Sequence, residues 1–255
     1  MQTLYLKFKN LLICLMVIFL VSPLTGCAKK DFLSYLGFSK QTSAASVETL
    51  AMKGLDFYER GKYFKARDAF QKLLSQYPFS EYSLLAELKV ADCNYYMKNY
   101  EEAVQEYSDF EKHHPTNEAI PYVLYQTAMC YYNQIDTIDR DVANANNAIY
   151  SFTRLLRAYP GSPYEDEVKT RIRSARNFLA YHEFYVASFY ERTGEYEEAE
   201  GRLEYLLKNY PESSVSGKAE ELLQDLKNNN PPGRSILGWL PKRQPDWEDL
   251  TPVKK

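Results

Sequence analysis

Near the amino end, Leu24, Thr25, Gly26 and Cys27 form the clearest request for covalent chemistry in this sequence. An aliphatic residue, two small residues and a cysteine make a lipobox. The thiol takes a diacylglycerol group, and the chain is then cut just before it. The preceding segment agrees. Lys7 and Lys9 give a positive start, and Leu11 to Val21 is an apolar run of eleven residues. That run is too short to cross a bilayer as a stable helix and has the length of a secretory signal core. The expectation is a signal peptide over 1–26 and a mature chain starting at lipidated Cys27. Each buried CH₂ of the anchor contributes about 0.8 kcal/mol. Ala28 follows, where in many Gram-negative bacteria an Asp would favour the inner membrane. The expected address is therefore the periplasmic face of the outer membrane.

Other reactive side chains are few. Of four cysteines, Cys14 leaves with the signal and Cys27 carries lipid, so Cys93 and Cys130 remain. A periplasmic location permits a disulfide between them. Two small buried thiols is the simpler expectation. His113 and His114 are adjacent and point to different sides of a helix, and His182 stands alone, so no i, i+4 metal pair exists. Asp136, Asp139 and Asp141 lack the glycine and distal glutamate of a calcium loop. They are expected instead to knot a charged loop around Arg140. Glu195, Glu197 and Glu198 flank a turn and favour the helix dipole. No CxxC, GxSxG or glycine-rich phosphate loop is present. The expectation is a protein that is no enzyme and that takes no metal or cofactor beyond the lipid on Cys27. The net charge is −3, and the signal carries away Lys7 and Lys9, so nucleic acid is not an expected partner.

The elements that hold these residues follow from a repeat. An alanine is followed twelve residues later by a proline four times: Ala66 and Pro78, Ala103 and Pro115, Ala148 and Pro160, Ala199 and Pro211. Four residues after each alanine stand Phe70, Tyr107, Phe152 and Leu203. Further apolar residues follow at Leu73, Phe110, Leu155 and Leu206. This i, i+4, i+7 spacing is one face of an α-helix. Tyr77-Pro78, His114-Pro115, Tyr159-Pro160 and Tyr210-Pro211 close each helix, because proline pushes its predecessor out of the α region. Ser80, Asn117, Ser162 and Ser213 are expected to cap the helices that follow, with Ser162 and Glu165 forming a capping box.

A partner helix precedes each alanine. A small residue twelve before it and an aromatic three further on give the tetratricopeptide pattern: Gly54 and Phe57, Ala187 and Tyr190. Ala91 fits with Tyr95 displaced by one. Ala128 and Tyr131 fit only if about eight residues, around Ile135 to Asp141, are inserted. An extra helix fits between Pro163 and Phe178, and residues 214–228 read as a closing helix. The expected fold is all-α, a tetratricopeptide superhelical solenoid of about five helix-turn-helix repeats. Its organisation is signal 1–26, lipidated tether 27–44, array 45–229 and flexible tail 230–255. The tail holds both tryptophans, Trp239 and Trp247. It reads either as a disordered end or as a linear motif with aromatic anchors.

The lipobox, the Tyr-Pro-x-Ser helix ends, the insertion Ile138-Asp139-Arg140-Asp141, and Arg176-Asn177-Phe178-Leu179-Ala180 with Glu183-Phe184-Tyr185-Val186-Ala187 and Tyr190 resemble the BamD family. These are lipoproteins of the outer-membrane β-barrel assembly machinery, and the resemblance covers about residues 45 to 225. It implies a non-catalytic periplasmic scaffold of five repeats. The amino-terminal repeats would receive unfolded barrel proteins in a groove. The carboxy-terminal repeats would dock on the POTRA domains of a barrel insertase, with other lipoproteins of the complex nearby. Arg202 matches an arginine of the family and, with Asp139, Arg140 and Asp141, is the expected partner surface. The expected groove residues are Tyr58, Tyr96 and Tyr132, with Phe57 and Tyr131 in the core. The tail after 230 departs from the family pattern. A repeat lipoprotein of a pilus or secretin assembly system is the alternative function.

Overall fold

The computed structural model describes residues 45–228. Cys27, the signal, the tether and the tail lie outside the described residues, and so do the expectations attached to them. Among the described residues there are nine helices and no strand. They are α1 (Val47–Glu59), α2 (Tyr63–Gln76), α3 (Ser83–Tyr96), α4 (Tyr100–His113), α5 (Ile120–Tyr132), α6 (Ala143–Ala158), α7 (Glu165–Thr193), α8 (Tyr196–Asn209) and α9 (Ser216–Lys227). The substantial helix contacts run between consecutive helices, which is the signature of a solenoid.

The alanine period marks the even-numbered helices. Ala66, Ala103, Ala148 and Ala199 are all fully buried, as are Phe70, Tyr107, Phe152 and Leu203 four residues on. Burying each of these large side chains contributes roughly 1.5–3 kcal/mol. Tyr77, His114, Tyr159 and Tyr210 end those helices in one geometry, with φ of −136°, −130°, −136° and −133°. With ψ of 61°, 53°, 65° and 50° this backbone lies outside the α region, from which a following proline displaces its predecessor. The small partner positions earn their size. A Cβ on Gly54 would lie 2.6 Å from the Phe70 ring, and Ala91, Ala128 and Ala187 are fully buried.

Two expectations are corrected. The helices after the Tyr-Pro ends do not start at the expected caps. Each begins three residues later, after a tight turn whose amide bonds back to Ser80, Asn117, Ser162 or Ser213. None of the four caps its helix with its side chain; Asn117 accepts from the Ala119 amide at 2.8 Å, a turn that closes one residue before α5 begins. Glu165 reaches back to the Gly161 amide at 2.7 Å, one residue before the place a capping box requires. The second correction concerns Pro163 to Phe178, which is no separate helix. It is the first half of α7, 29 residues long. Its first half packs on the core shared with α3 to α6, through Val168, Ala175, Phe178 and Leu179. Its second half builds another core with α8 and α9, through Ala180 and Ala187. The array is thus four helical hairpins closed by the single helix α9.

Candidate functional site

Cys93 and Cys130 are both free and buried, so the simpler expectation stands. Burial pushes each thiol up to about 12, which keeps it protonated and inert. Among the described residues no group of His, Cys, Asp and Glu is arranged to hold a metal ion. What stands out is aromatic.

Tyrosines from α1, α2 and α3 meet on one face. The rings of Tyr63 and Tyr96 stack at 4.8 Å, and Tyr58 meets both edge-on, at 5.6 Å from Tyr63 and 5.9 Å from Tyr96. Tyr95 meets Tyr96 at 5.3 Å and Tyr100 at 5.8 Å. Such edge and offset contacts are favourable for aromatic quadrupoles. Tyr96 remains 45% exposed, so the cluster offers an aromatic surface to a partner. The Lys89 ammonium lies 4.2 Å from the Tyr58 ring centroid.

Beneath this face sits a buried carboxylate that the sequence reading missed. Asp92 is fully buried. It accepts hydrogen bonds from Tyr107 of α4 at 2.7 Å, Tyr122 of α5 at 2.8 Å and Tyr58 of α1 at 3.3 Å. Lys89 donates to it at 2.7 Å. A buried charge persists only when it is paired and hydrogen-bonded, and this one ties four helices together. Burial, then the Asp92 charge, hold the Tyr58, Tyr107 and Tyr122 phenols well above their ordinary range. The signal was present in the sequence: an acid next to the packing alanine Ala91, inside the apolar stretch Val90 to Tyr96.

Tyr132 is a correction. It is 5% exposed, lies 6.1 Å from the Phe152 ring and is covered by the Arg171 guanidinium at 4.9 Å. Tyr58, Tyr95 and Tyr132 each stand four residues after the small residue of their helix, whereas Tyr96 stands five after. One residue is about 100° of helix, which is why Tyr96 faces out and Tyr132 faces in. The structure therefore brings Tyr58 and Tyr96 together and leaves Tyr132 in the core. Of the two residues expected inside, Phe57 is half-buried with Lys53 and Lys65 over its ring, each at 5.9 Å. Tyr131 packs half-buried on the core.

The insertion forms a charged loop, but only Asp136 of the three carboxylates expected around Arg140 pairs with it. Asp139 is held by Thr137 and by backbone, so its carboxyl falls below its usual range, and Asp141 accepts from the Ala143 amide at 2.9 Å. Ile135 and Ile138 turn inward. The Ile138 carbonyl accepts from His182 Nδ1 of α7 at 2.5 Å. Arg202 of α8 reaches the next residue of α7, pairing with Glu183 at 3.1 Å. Insertion and arginine thus converge on one turn of α7. The same helix fixes the last hairpin: Arg176 donates to the Asn209 carbonyl at 2.6 Å, and Asn177 accepts from the Ser214 amide at 2.9 Å. Arg202, Glu183, Glu198, Gly201, Tyr190 and Tyr205 line an open depression of about 600 Å³ between α7 and α8.

Helical hairpins with an aromatic face at one end and a charged depression at the other define a tetratricopeptide scaffold. The comparisons give the family. The YfiO family, described as an outer membrane lipoprotein, matches residues 43–230, and the chain belongs to it. "Outer membrane protein assembly factor BamD" of Rickettsia prowazekii is 31% identical over 206 residues, covering 80% of this chain and 78% of that protein. The protein of the same name from Caulobacter vibrioides is 26% identical over 202 residues, 79% of this chain and 65% of that one. One from Xylella fastidiosa is 29% identical over 66% of this chain and 61% of its own. The chain thus spans somewhat less than two thirds of the latter two. A solved tetratricopeptide repeat protein from Parabacteroides merdae overlaps at 15% identity and a TM-score of 0.38, over 72% of this chain and 74% of that one, too loosely to carry an argument. Among the described residues no helix is long and apolar enough to cross a membrane.

Proposed function

We propose that this chain is a non-catalytic scaffold of the outer-membrane β-barrel assembly machinery, held on the periplasmic face by lipid on Cys27. The observation that carries the reading is the joining of two unlike surfaces by one continuous helical array, in a family of outer membrane lipoproteins. The Tyr58–Tyr63–Tyr96 face receives unfolded barrel proteins, whose strands alternate aromatic and polar residues and suit an aromatic surface. The turn of α7 that meets Arg202 and the Asp139-Arg140-Asp141 insertion docks on the POTRA domains of the barrel insertase, with other lipoproteins of the complex alongside.

The test is an affinity pull-down of the full chain from detergent-solubilised envelopes, with partners identified by mass spectrometry. A POTRA-containing barrel in stoichiometric amount, weakened by Arg202→Glu, is the expected result. Secretin or pilus components in place of such a barrel would overturn the function and leave the fold standing.

A further inference from the structure

The depression between α7 and α8 has a composition that asks for a particular occupant. Two phenols, Tyr190 and Tyr205, flank it, and Tyr205 is 48% exposed. Its three charged residues are Glu183, Glu198 and Arg202. Arg202 is matched by Glu183 at 3.1 Å, and among the described residues Glu198 has no ion-pair partner. The site therefore favours an aromatic side chain with positive charge beside it. Gly201 leaves the rim bare: nothing lies within 4 Å of the place a Cβ would take. An extended chain can cross α8 there. Glu197, Glu200 and Glu204 extend the acidic character of α8 around the helix, and both Glu197 and Glu204 are exposed.

The chain itself supplies such a segment at the right place. Lys227, in the last turn of α9, bonds Glu204 Oε1 at 2.6 Å. The array thus ends against α8. The depression lies on that helix, which is only about 10–12 Å wide. Trp239 comes about 11 residues after Asn228, a reach of up to roughly 36 Å when extended. Around it, residues 234–243 carry Arg234, Lys242 and Arg243, no acidic residue, and the apolar Ile236, Leu237 and Leu240.

We propose that residues 234–243 dock back on this depression in the same molecule, with the chain crossing α8 at Gly201. Trp239 sits between Tyr190 and Tyr205, and the flanking basic residues face the α8 carboxylates. The docking itself does not depend on the functional reading above. Its consequence does: a partner that uses Arg202 has to displace the tail.

Both tryptophans of the chain lie beyond Asn228, so indole fluorescence reports on the tail alone. Full chain carrying Trp247→Phe isolates Trp239. The expected result is blue-shifted emission, with acrylamide quenching about ten-fold slower than in the urea-unfolded chain if the tail is docked nine-tenths of the time. Gly201→Gln fills the rim at an exposed helical position and removes this protection while circular dichroism holds the helix content constant. Tyr205→Ala does the same. The protection is unchanged on dilution. Quenching as fast as in the unfolded chain overturns the proposal. So does protection that survives both substitutions, or protection lost on dilution, which assigns the tail to a second copy. Retention of the POTRA barrel in the pull-down is read separately, so failure of the docking leaves the assembly reading intact.

Discussion

The region around Asp92 and the region around Arg202 both place charge between neighbouring helices, and they treat water in opposite ways. Asp92 is fully buried and takes three phenols and an ammonium. The Arg202 side chain is 46% exposed and takes one carboxylate. A buried ion leaves a large penalty when a partner is lost, whereas an exposed pair is worth about 0–1 kcal/mol. The first region therefore fixes the relative placement of α1, α3, α4 and α5. The second is free to exchange its partners. A scaffold needs both: a surface whose shape is held and a surface whose contacts can be traded.

The sharpest way to break this contrast is Asp92→Ala. It strands Lys89 and three phenols, and the expected loss is about 3–5 kcal/mol in chemical denaturation. A loss near that of a surface substitution would mean that the network does not hold the helices. Alkaline pH attacks the same region. The phenols of Tyr58, Tyr107 and Tyr122 are raised above 10.0 in the folded chain. Their contribution is present in full below the unfolded value and is lost as pH rises beyond it. Stability measured from neutral to strongly basic pH should fall above about 10, and less steeply in Tyr107→Phe. Gly54→Ala drives a methyl into Phe70 and should cost about 1–3 kcal/mol, offset in part by helix propensity. Lys98 holds φ +64° where the corresponding turns use Gly61 and Gly194, so Lys98→Gly should gain about 1 kcal/mol in thermal unfolding. Last is Arg202→Glu: up to about 1 kcal/mol on stability, because Glu183, 14% exposed, loses its counter-charge, with the main effect on partner retention. A large stability loss there would erase the distinction between the two regions.

Much of the fold was legible because it rests on backbone rules that repeat. Alanine, aromatic and proline recur at fixed offsets, and each turns up in the same environment in α2, α4, α6 and α8. The caps were less legible. A tight turn satisfies the first amides of the next helix, so Ser80, Ser162 and Ser213 are not needed as side-chain caps. The site was legible only where one helix decides it. Tyr58 and Tyr96 meet in one aromatic face, but the fate of Tyr132 depends on Arg171, which lies one helical hairpin further along the chain. Asp92 escaped because its three phenol donors lie 15 to 34 residues away, and no local pattern announces them. The Arg176-Asn177 pair had been notable only as a resemblance. It has a physical task, anchoring the turn between α8 and α9.

The unbroken run of α7 sets a rotational phase for everything after it. A helix of 29 residues is a rod of about 43 Å that turns about 100° per residue. Deleting one residue near its middle would swing α8, α9 and the Arg202 depression to a new azimuth relative to the tyrosine face. A residue added between α5 and α6, where the chain already loops out, would be absorbed. The two surfaces are geared to each other through this one shaft, and its length is the dimension of the molecule least free to drift.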